Sequence, residues 1–228
     1  VLTKTRTVAE MTLREIARRR GVLLILLLMP LAFYLTRRGD HLGQSVRFVC
    51  LGLGWALSTA ALFTGTASRA LEPRLRLSGY ATRQLVLGRL LALWLLGLAV
   101  SAPYLLLIRL DEPDVRHGAV ALSMALMVAV AAPFGLAVAA LLPRDMEGTL
   151  VLLTVVGTQM TLDPADPAAR LLPFWFSREI ATYAVDGTAA DYLARGLAHG
   201  AGYGLLLLVV AAALATARLR RRPHLRFV

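Results

Sequence analysis

Six stretches without Asp, Glu, Lys or Arg punctuate the chain, at residues 21–36, 48–68, 90–108, 118–143, 148–162 and 196–217. A helix rises about 1.5 Å per residue and a bilayer core is roughly 30 Å thick, so a crossing takes about 20 apolar residues. Four stretches meet that length. The first is shorter, but Arg18, Arg19 and Arg20 on one flank and Arg37 and Arg38 on the other have stems long enough to snorkel to headgroups. The fifth is also short and leads to the apolar patch Leu171-Leu-Pro-Phe-Trp-Phe176, which is too brief to span and reads as re-entrant or interfacial. The pattern predicts an all-α integral membrane protein, a single transmembrane domain over 1–228. Its parts are six transmembrane helices, an N-terminal interfacial helix over 7–20, a cytoplasmic coupling region over 69–89 and an outer re-entrant region over 163–195.

The segments between the spans carry their own patterns. Residues 7–20 predict a helix lying in the headgroup plane and turning at Gly21. Thr7 and Glu10 match a capping box, Glu10/Arg14 and Glu15/Arg19 are i,i+4 pairs, and Ala9, Leu13, Ile16 and Ala17 share a face. A solvated basic leader is the alternative. Residues 69–89 mix charge with spaced leucines around a Ser78-Gly79-Tyr80 break, which suits a short helix, a turn and a second helix, a docking surface for a cytosolic partner. An amphipathic connector lying on the membrane is the plainer reading. The long connection 163–195 reads as a lid or vestibule, although turn chemistry alone explains Asp163-Pro164 and Asp166-Pro167. Inside the spans, Thr154, Thr158, Gln159 and Thr161 of the fifth and His199 of the sixth are candidate path residues, with interhelical hydrogen bonding as the alternative. Pro30, Pro103 and Pro133 are expected to kink their helices. Gly196, Gly200, Gly202 and Gly204 would let neighbours approach closely.

Composition agrees with the pattern: 57% of the 228 residues are hydrophobic and the mean hydropathy is +0.65. The formal charge of +11 would suit nucleic acid, but nearly all the basic residues are arginines clustered between apolar stretches. Under an N-terminus-inside arrangement, 17 of the 25 basic residues fall inside and 8 outside. Net charge is then +12 inside and −1 outside, and the positive-inside rule places both termini in the cytoplasm. The bias to arginine suggests a GC-rich bacterial genome and hence a multi-pass protein of the bacterial plasma membrane. A cleaved signal peptide is disfavoured, because no small-x-small site follows the apolar run 22–35.

Several chemistries lack their residues. A nucleotide-binding loop needs glycines before a lysine, and the one lysine, Lys4, has no such loop. His41, His117, His199 and His224 have no metal-ligand spacing, and Cys50 stands alone, so no metal site is expected. The glycine-rich run His199-Gly-Ala-Gly-Tyr-Gly204 invites comparison with rhomboid proteases. The fourth span, however, reads Ala121-Leu-Ser-Met124 without the nucleophile context. No catalytic residues are expected.

Taken in order, these pieces resemble the membrane subunit of the type-2 ABC exporter family. The resemblance is carried by Thr12-Leu-Arg-Glu-Ile-Ala-Arg-Arg-Arg-Gly-Val-Leu-Leu24 with Met29-Pro30, and by Glu72 through Ala92 with its Leu-Ser-Gly-Tyr and Leu87-Gly-Arg-Leu-Leu-Ala. Leu142-Pro-Arg-Asp-Met-Glu-Gly148 and Leu172-Pro173 with Ile180-Ala-Thr-Tyr183 complete it. Where family members often have a glycine-proline outer loop, this chain has Asp163-Pro-Ala-Asp-Pro167. The resemblance implies that two such permease subunits, identical or not, form the path, with separate ATPase subunits beneath holding ATP and Mg, and no cofactor in this chain. It implies ATPase coupling by Glu72, Arg74, Arg76, Ser78, Gly79, Tyr80, Arg144, Asp145 and Glu147, and a translocation path near Thr154, Thr158, Gln159 and His199. At 7% aromatic content the chain lacks the rings of a polysaccharide path, which leans the substrate toward amphipathic drugs, lipids or peptides. The alternatives are a haem-exporter-like permease, or a six-span membrane enzyme or scaffold without transport activity.

Overall fold

A computed structural model describes residues 2–38, 42–142, 144–163 and 166–220. His41, Pro143, Pro164, Ala165, His224 and the rest of the basic tail lie outside these, so the Asp163–Pro167 motif is described only in part. Among the described residues every regular element is helical. They are α1 (Leu2–Arg18), α2 (Arg20–Leu35), α3 (Leu42–Ala67), α4 (Glu72–Leu77), α5 (Thr82–Asp111), α6 (His117–Leu141), α7 (Asp145–Thr161), α8 (Phe176–Val185) and α9 (Ala190–Arg220). Short 3-10 turns cover Ser68–Ala70 and Pro167–Leu171. Four helices among the described residues are long and apolar enough to cross a bilayer: α3 with its 3-10 extension, α5, α6 and α9. The α2 helix is apolar but has only 16 residues, and α7 has 17.

The centre of the bundle is α3, which packs against α2, α5, α6, α7 and α8. Small residues allow this. At Gly135 of α6 a Cβ would collide with the Ser58 carbonyl and sit 2.7 Å from Ala61 Cβ, so the two backbones touch where only hydrogen fits. Leu51, Leu53, Leu57, Leu90, Leu93 and Met127 fill the core around this contact. By contrast α9 lies mostly on the outside, exposing Leu205, Leu206 and Val209. In water such faces would be a liability. In lipid they are the expected exterior.

Helix boundaries depart from the sequence expectation in places. The first helix begins at Leu2 rather than Thr7, and the capping box is not formed. Thr7 sits mid-helix with its hydroxyl donating to the Thr3 carbonyl at 3.0 Å, and Arg6 takes Glu10 at 2.9 Å. The Glu15–Arg19 pair is present at 2.7 Å. The bend into α2 falls at Arg19 (φ −91°, ψ 74°), ahead of Gly21. Helix α7 absorbs the expected inner loop, because Asp145 and Glu147 in its first turn suit the positive end of the helix dipole. Patch 171–176 is not superficial. Phe174 is fully buried, edge-on to Phe134 with centroids 5.8 Å apart, and Phe176 is fully buried at the start of α8. Leu171 remains exposed.

Contacts between distant residues divide the bundle into two ends. At one, Tyr34 donates to Asp111 at 2.5 Å. Arg38 pairs with the other Asp111 oxygen, a hydrogen bond that raises the Arg38 pKa. Arg116 reaches the carbonyls of Tyr183, Gly187 and Thr188, each at 3.3 Å. At the opposite end lie the contacts of the connector between α3 and α5.

Candidate functional site

The connector follows from three local signals. Pro73 occupies the first turn of α4, where its missing N–H costs nothing. Gly79 takes φ +79°, a left-handed value that glycine adopts freely and that stops the helix. Ala81 is extended, and its N–H donates to the Gln84 side chain at 2.9 Å, opening α5. Turn geometry therefore falls on Ser78-Gly79-Tyr80.

Within this connector Glu72 is the single carboxylate among five arginines, and it is 1% exposed. Arg89 of α5 donates to its Oε1 at 2.7 Å, and Arg218 of α9 donates to Oε1 at 2.6 Å and Oε2 at 2.7 Å. Three helices thus meet on one buried carboxylate. Arg76 adds a second tie, donating to the Leu219 carbonyl at 3.1 Å. Lys4 of α1 donates to the Gly79 carbonyl at 2.8 Å and stands 5.2 Å from the Tyr80 ring centroid. Arg74 and Ser78 are exposed, and between them Leu77 is 91% exposed. The result is a short helix pinned on one side and open on the other. Arg144, Asp145 and Glu147 open α7 separately, with Arg144 and Glu147 3.5 Å apart and Met146 exposed beside them.

The five candidate path residues do not converge. Thr154 points away from the bundle and returns its hydroxyl to the Leu150 carbonyl at 2.8 Å. Thr158 is half-buried, and its carbonyl caps the end of α7 by accepting from Leu162 at 2.9 Å. Thr161 is exposed and bonds within its own helix. Gln159 faces α3, is 1% exposed, and leaves its side-chain oxygen without a partner. His199 meets the Arg170 carbonyl at 2.9 Å and stacks on Tyr203 with centroids 4.6 Å apart. It therefore serves the segment that precedes α8. No cluster of three or more His, Cys, Asp or Glu side chains suited to a metal occurs among the described residues.

Arg89 and Arg218 carry the clamp, and sequence reasoning assigned neither to a site. A signal existed for the clamp itself: a lone acid in a basic, leucine-spaced segment needs a partner if it is buried. Other arginines share a role with no sequence signature, donating to carbonyls at helix C-termini. Arg47 of α3 reaches the Gln159 carbonyl near the end of α7 at 2.6 Å. Arg69 reaches the Ala139 and Leu142 carbonyls at the end of α6. Arg116 does so for α8. Each meets acceptors that a helix end leaves unpaired and lies at the negative end of the helix dipole. No family model matches the chain, and no curated protein matches it.

Proposed function

We propose that the chain is the permease subunit of an ATP-driven exporter in a bacterial plasma membrane, paired with a second permease subunit and driven by separate ATPase subunits. The observation that carries this reading is the α4 connector. The Glu72 clamp fixes the short helix to α5 and α9, and the helix presents Leu77 outward, 91% exposed. Force applied at Leu77 would therefore reach two long helices directly. Met146 beside Arg144, Asp145 and Glu147 offers a second exposed apolar contact. The lack of a nucleotide-binding loop agrees with an energy source in another subunit. Six crossings, with α2 and α7 joining the four long helices, are supported by the alternation of end contacts along the chain and by the short arginine-flanked form of α2. The excess of arginine at the connector end supports a cytoplasmic location for that end. Substrate would be amphipathic, passing near the threonine face of α7 where two subunits meet.

The test is co-purification with a candidate ATPase encoded alongside, followed by ATP hydrolysis in proteoliposomes. Leu77→Asp and Met146→Asp are expected to lower substrate-stimulated hydrolysis at least tenfold while leaving the chain folded. Absence of any associated ATPase, or unchanged stimulated hydrolysis in both variants, would overturn the reading. Orientation is checked separately. Cysteines placed at Ser78 and Asp114 are expected to label from opposite sides of the membrane, because Cys50 is buried and silent.

A further inference from the structure

A cavity of about 530 Å³ lies between α1 and the connector, within the range of roughly 300–1,000 Å³ usual for small-molecule sites. One wall is apolar: Met11 from α1 with Leu71 and Leu75 from the connector, Met11 and Leu71 both exposed. The rim is cationic. Arg14 and Arg18 stand four residues apart on the same helix, so they are neighbours on one face and repel each other. The other charges lining the cavity are already engaged, Arg19 with Glu15 at 2.7 Å and Arg89 with Glu72 at 2.7 Å. Neither Arg14 nor Arg18 has a hydrogen bond or ion pair among the described residues.

Two free guanidinium groups on one face call for an anion that can accept from both, and phosphate oxygens match arginine geometry. An apolar wall next to that rim calls for hydrocarbon joined to the anion. We propose that this cavity binds an anionic phospholipid, its phosphate held by Arg14 and Arg18 and the start of an acyl chain lying against Met11, Leu71 and Leu75. The lipid bridges α1 to the connector. The placement at headgroup level rests on the membrane reading under the proposed function, but the binding is read on this chain alone and needs no ATPase, so the two can fail independently.

The test titrates the full chain in detergent with phosphatidylglycerol, with phosphatidylcholine and with inorganic phosphate, and reads bound lipid by native mass spectrometry. Saturable binding of one phosphatidylglycerol per chain is expected, tighter than phosphatidylcholine and not displaced by millimolar phosphate. A basic residue near an anionic surface is worth about fivefold in affinity, so Arg14→Gln with Arg18→Gln should weaken it about 25-fold. Arg14→Lys with Arg18→Lys should retain most of it. Arg74→Gln with Arg83→Gln removes the same charge from the same end outside the cavity and should leave binding unchanged. Equal affinity for both lipids, displacement by phosphate, or equal loss in the Arg74/Arg83 variant would each overturn the proposal. Circular dichroism of each variant establishes that it is folded.

Discussion

Glu72 offers the most direct test of how the connector is held. Its carboxylate accepts three charge-assisted hydrogen bonds, one from Arg89 and two from Arg218. The Arg89 side chain is 8% exposed and that of Arg218 is 22% exposed. Glu72→Ala would leave two guanidinium groups facing each other with nothing between them. Removing one partner of a buried pair costs about 3–5 kcal/mol. Because Arg218 can turn partly toward water, we expect the lower end, about 3 kcal/mol, which in a chain of this length corresponds to a fall in apparent Tm of roughly 6–12 °C. Glu72→Gln keeps the volume and one acceptor and should fall between Ala and the parent. Replacing the whole set, Glu72→Met with Arg89→Met and Arg218→Met, removes the orphaned charges and should melt closer to the parent than Glu72→Ala does. The assay is thermal unfolding in detergent, with hydrogen exchange over residues 72–80 and 214–219 as the local readout. A Glu72→Ala variant melting within about 1 °C of the parent, with unchanged exchange, would refute the account.

Three further outcomes follow from packing and capping. Gly135→Ala forces a methyl into the Ser58 carbonyl and should cost about 1–3 kcal/mol, whereas Gly157→Ala meets nothing within 4 Å and should be neutral or slightly stabilising; paired melting curves check both. Arg69→Ala frees the Ala139 and Leu142 carbonyls, so amide exchange should quicken at the end of α6 while α9 is unaffected. Arg47→Ala should do the same at the end of α7, near Gln159 and Met160, without changing exchange in α4.

Much of the fold could be read in the sequence because lipid imposes a length rule that composition alone satisfies. The apolar stretches that predict α5 and α9 are interior to those helices, which extend into charged flanks, whereas α3 begins six residues before its stretch and α6 ends at Leu141, inside its own. Helix α5 begins at Thr82, eight residues before its apolar stretch, since nothing between Thr82 and Leu90 breaks a helix. Gly79 was visible as a break because only a residue tolerant of positive φ stops α4 there. The clamp was hidden for a different reason. Arg218 meets Glu72 across 146 residues of chain, and no local pattern encodes such a pairing. Similarly, Arg47, Arg69 and Arg116 read as topology markers, because a guanidinium that caps a neighbouring helix looks the same in sequence as one that faces headgroups. Thr154 and Gln159 looked alike as polar residues within a span. Burial separates them, since five residues is 500° of helix rotation and places them on different sides of α7.

Lys4 carries the one ε-amine in these 228 residues and spends it on the Gly79 carbonyl and the Tyr80 ring. Among the side chains, an amine-directed label therefore reports on a single place, the seam between α1 and the connector turn. Lys4 is exposed while it holds both contacts, so a change in its reactivity when a partner binds would report a change at this seam in the unaltered chain, without introducing a probe.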